Sequence, residues 1–117
     1  MVKLRSTGTF TISTGTVAAS GSYTTDALDC SGLQGLFSLQ WTVTGDGTMK
    51  AEVLVSNDGN TFLELDADIT TAQVKTSGTS GNNMTDFEVT PCNFMKLKFS
   101  ETGGANSIAV AARLRSY

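Results

Sequence analysis

Segments in which apolar and polar residues alternate with a period of two recur from one end of this 117-residue chain to the other, and that period calls for extended backbone. Successive side chains of a strand point to opposite faces, so such a segment offers one face to a core and the other to water. Phe10 and Ile12 alternate with Thr9, Thr11 and Ser13. A second strand is expected from about Tyr23 to Leu28. The strongest run is Leu36 to Val43, with Phe37, Leu39, Trp41 and Val43 on one face and Ser38, Gln40 and Thr42 on the other. Met49, Ala51, Val53 and Val55 alternate beyond Thr44-Gly45-Asp46-Gly47-Thr48, and the two runs around this Gly-Asp-Gly turn read as a hairpin. Ser56-Asn57-Asp58-Gly59-Asn60 is a further turn, followed by a short strand from Thr61 to Leu65. Ile69 and Val74 are the strong apolar anchors of the next stretch, and residues 77–83 read as a long exposed loop. Phe87 and Val89 precede the only proline, Pro91. Met95, Leu97 and Phe99 then mark one strand, and Ile108, Val110, Ala112 and Leu114 the last.

About eight short strands result, and a 3.6-residue apolar period is nowhere sustained. The expected fold is all-β: an antiparallel β-sandwich with jelly-roll topology. Residues 1–117 form one domain on this reading, with residues 1–8 a flexible N-terminal arm. Trp41 shares its face with Phe37, Leu39 and Val43, which assigns it to the core rather than to a sugar-stacking surface.

The residue inventory excludes most chemistry. Histidine is absent, which removes the commonest general acid–base and the commonest metal ligand. Serines and threonines abound without a histidine to activate them, and there is no GxSxG or SxxK. No catalytic residue is expected. No P-loop, GxGxxG or base-stacking motif appears, so no cofactor and no nucleic acid is expected. Glu64, Asp66 and Asp68 alternate near Asn57, Asp58 and Asn60, a set of hard oxygen ligands, but the spacing is not that of a twelve-residue calcium loop and no metal is assigned. Cys30 and Cys92 lack CxxC spacing and cannot make a zinc site alone; free thiols are expected, and pairing depends on whether the fold brings them together. The N-terminus has no signal-peptide pattern, and no stretch approaches the roughly 20 apolar residues of a spanning helix, so synthesis in a cytosol and no membrane are expected.

The formal net charge of −3 is uneven: residues 1–25 carry +2, residues 26–90 carry −8 and residues 91–117 carry +3. Lys96, Lys98, Arg113 and Arg115 would lie together if the last two strands pair, though four charges do not argue for nucleic acid.

Leu28-Asp29-Cys30-Ser31-Gly32-Leu33, Phe37-Ser38-Leu39-Gln40-Trp41 and Val53-Leu54-Val55-Ser56-Asn57-Asp58-Gly59-Asn60-Thr61-Phe62, with the later Phe94-Met95-Lys96-Leu97-Lys98 and Ile108-Ala109-Val110, resemble small β-sandwich proteins of the structural modules of tailed bacteriophages. The resemblance covers roughly residues 25–115, with Phe62 where such proteins more often carry Trp. It implies a virion part, assembled in the host cytoplasm and devoid of active-site positions. A capsid decoration or cement protein is the expected role, with the major capsid protein or other virion subunits as partners and a homo-oligomer, a trimer for preference, as the assembly. A carbohydrate-binding or host-adhesion module of a tail or fibre is the alternative, for which Tyr23, Phe62 and Tyr117 are the candidate aromatics. The expected partner contacts are Lys3, Leu4 and Arg5 in the arm and Ser77, Gly78, Thr79, Asn82 and Asn83 in the loop.

Overall fold

The computed structural model describes residues 1–65, the backbone of 75–76, and 81–117. The anchors Ile69 and Val74, the carboxylates Asp66 and Asp68, and the expected contacts Ser77, Gly78 and Thr79 lie outside the described residues. Among those described there is no helix, and the strands in chain order are β1 (Val2–Lys3), β2 (Thr9–Val17), β3 (Ser22–Thr24), β4 (Leu28–Asp29), β5 (Leu36–Gly45), β6 (Thr48–Ser56), β7 (Leu63–Glu64), β8 (Lys75–Thr76), β9 (Gly81–Glu88), β10 (Phe94–Glu101) and β11 (Ile108–Ser116).

They form two sheets. One is four-stranded in the order β2-β11-β5-β9, antiparallel throughout. The other follows the path β1-β4-β10-β6-β7, with β3 also on β10 and β8 also on β6. In this second sheet β4 lies along Phe94 and Met95 while β3 lies along Lys98 to Ser100, so the two share one lane beside β10. Likewise β7 and β8 share the lane beside β6, at opposite ends of it. Setting aside β1, each layer is four lanes wide, and the chain passes repeatedly from one layer to the other. Eight lanes in this order make a jelly roll.

The expected second strand, Tyr23 to Leu28, is therefore broken in two. The break falls at Thr25, whose N–H donates to the Leu97 carbonyl (2.9 Å) and whose hydroxyl accepts the Leu97 N–H (3.1 Å). A side chain here completes a ladder that the bent backbone cannot.

The expected hairpin is not one. β5 pairs with β11 and β9 in the four-stranded sheet, whereas β6 pairs with β10 in the other. The connection Gly45 to Thr48 is a corner between layers. Alternation around a turn reports which face of each strand is buried, and a corner satisfies it as well as a hairpin does. The corner runs tightly against the β10–β11 connection: Gly45 has φ +96°, and a Cβ there would lie 2.5 Å from the Ser107 carbonyl oxygen. A Cβ on Gly47 would lie 2.7 Å from the Asn106 oxygen.

The core sits between the layers. Phe37, Leu39, Trp41 and Val43 of β5 and Ile108, Val110, Ala112 and Leu114 of β11 face Met49, Ala51, Val53 and Val55 of β6 and Met95, Leu97 and Phe99 of β10. Trp41 is 1% exposed, as its parity requires. Among the described residues its indole N–H has no hydrogen-bond partner.

The first eight residues do not form a loose arm. β1 pairs in parallel with β4, the Leu4 N–H donates to the Asp29 carbonyl, and the Thr7 N–H donates to Ser116. Leu4 is 5% exposed and belongs to the core cluster. An apolar side chain beside a sheet edge docks because doing so removes its surface from water.

Candidate interaction surfaces

The expected contacts fall at separate places. Lys3 and Arg5 are exposed at the β1 edge, where the Lys3 ammonium lies 3.7 Å from the Asp29 carboxylate and donates to the Ser31 hydroxyl (3.2 Å). Leu4 points inward and presents nothing to a partner. Asn82 and Asn83 are not in a loop; they lie on β9, which pairs with β5 through Trp41↔Asn83 and Thr42↔Asn82. Asn82 is exposed and accepts the Thr42 hydroxyl at 2.6 Å, while Asn83 is half-buried. β1 lies at one edge of its sheet, on the side of β2, and β9 is the far edge strand of the other, so Asn82 and Asn83, the described part of the second segment, are not brought together with Lys3 to Arg5.

The four basic residues near the C-terminus are also divided. β10 and β11 are in different sheets, so Lys96 and Lys98 lie on one outer face and Arg113 and Arg115 on the other. Lys96 sits over the Phe62 ring (4.3 Å to its centroid) and Lys98 lies 3.7 Å from the Glu64 carboxylate. Both lysines are thereby engaged within the chain.

The outer face of the four-stranded sheet has a different character. Reading across the ladder, one row is Thr9, Arg115, Ser38 and Asp86, and the next is Thr11, Arg113, Gln40 and Met84. Among the described residues neither Arg113 nor Arg115 makes an ion pair. At the end of this face Leu36 (39% exposed) and Tyr117 (53%) stand beside each other, joined by the Tyr117 N–H to the Leu36 carbonyl (3.0 Å). With Ser38, Asp86 and Arg115 they border a shallow depression of about 340 Å³. Met84, on the same face, is 60% exposed. Tyr, Met and Arg are enriched at interfaces, where each offers a large contact area that a partner can remove from water. The sequence held this signal: Leu36 has the outward parity of Ser38 and Gln40, but it was counted into the apolar run that follows it.

A second surface is a groove of about 580 Å³ between β2 and the β3–β4 lane, at an edge of the sandwich. Phe10, Ile12, Tyr23 and Leu28 supply apolar and aromatic walls, and Thr11, Ser13 and Asp26 supply polar groups. Phe62 is half-buried beneath Lys96.

Two further clusters hold the fold. The Glu101 carboxylate, 2% exposed, accepts N–H bonds from Ser20 (3.1 Å), Thr48 (2.8 Å), Gly103 (2.7 Å) and Gly104 (2.7 Å). These donors, that of Thr48 foremost, hold its pKa down to about 2. One side chain thus ties together three connections. In the turn after β6, the Asp58 carboxylate accepts from Asn60 (2.8 Å) and Thr61 (2.9 Å) and its pKa is lowered by the Thr61 N–H first. That is turn chemistry, as the sequence indicated. Among the described residues no group of three or more His, Cys, Asp or Glu side chains is placed to hold a metal.

No family model and no curated protein matches the chain. Solved structures do share its fold. VP2 of the infectious bursal disease virus subviral particle matches over 93% of this chain and 32% of its own, with a TM-score of 0.58 and 13% identity. The PBSX exported protein XepA matches over 92% and 36%, with a TM-score of 0.59 and 10% identity. The CBM22-1 xylan-binding domain of Paenibacillus barcinonensis Xyn10C matches over 87% and 85%, with a TM-score of 0.52 and 9% identity. The chain spans about a third of the length of VP2 and XepA. At these identities the likeness establishes the fold, a β-sandwich common to viral and phage-derived proteins and to carbohydrate-binding modules.

Proposed function

We propose that this chain is a non-catalytic part of a bacteriophage particle, a decoration or cement protein that docks on neighbouring capsid subunits through the outer face of its four-stranded sheet. The observation that carries the reading is the Leu36, Met84, Arg113, Arg115 and Tyr117 patch: exposed apolar area beside two guanidinium groups that make no ion pair among the described residues. An Arg fork is suited to a partner's carboxylates, and the apolar side chains supply non-directional area around it. The phage setting is supported by the sequence resemblance, and a sandwich found in a virus-particle protein is consistent with it. Each site can be weak, because symmetric clustering, as a trimer, multiplies contacts on a repeating lattice.

Capsids assembled without the protein are the test. Wild type should bind them and slow their thermal disruption, while Arg113→Glu and Tyr117→Ala, both folded by circular dichroism, should each weaken binding by about tenfold. Equal binding of wild type and both variants would remove this face from the proposal, and failure of the wild type to bind would remove the role.

The groove beside Tyr23 favours one second reading, a carbohydrate-binding or adhesion module. Aromatic rings beside a carboxylate and hydroxyls suit a sugar's apolar face and its hydroxyl rim. A specific glycan-array signal abolished by Tyr23→Ala would replace the first reading with this one.

A further inference from the structure

Cys30 and Cys92 are 62 positions apart in the chain, yet their Sγ atoms are 3.6 Å apart. The pairing of β4 with β10 puts them there. Phe94 lies opposite Asp29, the Cys30 N–H donates to the Asn93 carbonyl (2.9 Å), and the next residue back along that strand's approach is Cys92. The two thiols differ in access. Cys30 is 4% exposed, whereas Cys92 is half-buried and borders an open depression of about 360 Å³ with Pro91, Leu63 and Asn57. Both border a small pocket of about 60 Å³ between them and Val89.

We infer that Cys30 and Cys92 form a redox staple, an intramolecular disulfide made by exchange with a low-molecular-weight disulfide of the glutathione class. Cys92 reacts first, because it is the sulfur an oxidant can reach. Its thiolate attacks one oxidant sulfur, the oxidant's S–S bond breaks, and one thiol leaves with the proton that Cys92 gave up. The Cys30 sulfur, on losing its proton to solvent, then attacks Sγ of Cys92 and expels the second thiol. Two protein thiols and one disulfide become one protein disulfide and two small thiols, so the two electrons end on the oxidant. The order of events fits the environment. Burial, then the neighbouring Cys92 thiol, pushes the Cys30 pKa up to about 12, so Cys30 is a poor first nucleophile but an adequate intramolecular one. Closing so long a segment constrains the unfolded chain, and the staple joins two loops already held side by side.

The experiment treats native protein with glutathione disulfide and follows its mass and linked peptides. Wild type should lose two hydrogen atoms, retain no glutathione and yield a peptide joining Cys30 to Cys92. Cys30→Ser, or Cys30→Ala if the serine fails to fold, should stop as a glutathione adduct on Cys92, and Cys92→Ser should stay unreacted. The oxidised wild type should unfold about 10–15 °C higher than the reduced form, reversibly with dithiothreitol. A stable glutathione adduct on wild type, no Cys30–Cys92 peptide, or an oxidised form that unfolds no higher than the reduced one would overturn the inference.

Discussion

Trp41 fills the centre of the core from β5, fully enclosed, and its indole N–H has no partner among the described residues. Truncation to alanine should cost about 3–5 kcal/mol in urea unfolding, since a large cavity would open between two sheets that cannot collapse onto each other. Trp41→Phe should cost less, because the smaller ring also removes a buried donor without an acceptor. Glu101 offers a test by pH. Its folded pKa of about 2 is depressed from an ordinary 4.5, so its contribution to stability is fully present above 4.5 and is lost as pH falls from there towards 2. Thermal unfolding followed across that window should show the loss in wild type, and Glu101→Gln should be less stable at neutral pH with a flatter acid limb. Neither Glu101 nor the Cys30–Cys92 contact was legible in the sequence. Each depends on which loops share an end of the sandwich, whereas the enclosure of Trp41 followed from parity along its own strand.

The elements divide the same way. Alternation marked β2, β5, β6, β10 and β11 and the buried face of each, because burial of a face is a property of one strand and its water. It could not say that β5 and β6 belong to different sheets, because partnership is a property of two strands. The corner between them provides the element-scale prediction. Gly45→Ala would place a side chain at positive φ and against the Ser107 carbonyl, and should cost about 2–3 kcal/mol. A result under half a kcal/mol in chemical denaturation would show that the corner is not so tightly set. The N-terminal segment was misread because two-residue strands carry no period. Deleting residues 1–8 would strip Leu4 from the core and the parallel partner from β4, so a lowered Tm is expected. Charge reversal at Arg5, which is exposed, is the cleaner probe of contact there.

For the molecule as a whole, the sequence conveyed the class of fold and its two-layer core, since a chain of short alternating segments without helical period has few other ways to bury its apolar faces. Function was less legible: the outward patch around Arg113 and Tyr117 draws on β5, β9, β11 and the chain beyond, and only the assembled ladder makes it one surface. The same ladder shapes folding. β2 finds its partner β11 across almost the full length of the chain, and such remote pairings fold slowly. Refolding from urea should therefore be in the range of milliseconds to seconds, and stopped-flow tryptophan fluorescence, with Trp41 the only reporter, would measure it.

β11 lies between β2 and β5, so these two strands of the four-stranded sheet share a neighbour that follows both of them in the chain. While the chain is being made, β2 and β5 must wait without their shared neighbour until Ser116 has cleared the ribosome. A nascent or truncated chain lacking β11 is therefore open along the middle of a sheet, with ladder groups and half a core bare to other chains. A product stalled or clipped before β11 is therefore expected to be a substrate for chaperones, proteases or aggregation rather than a folded domain.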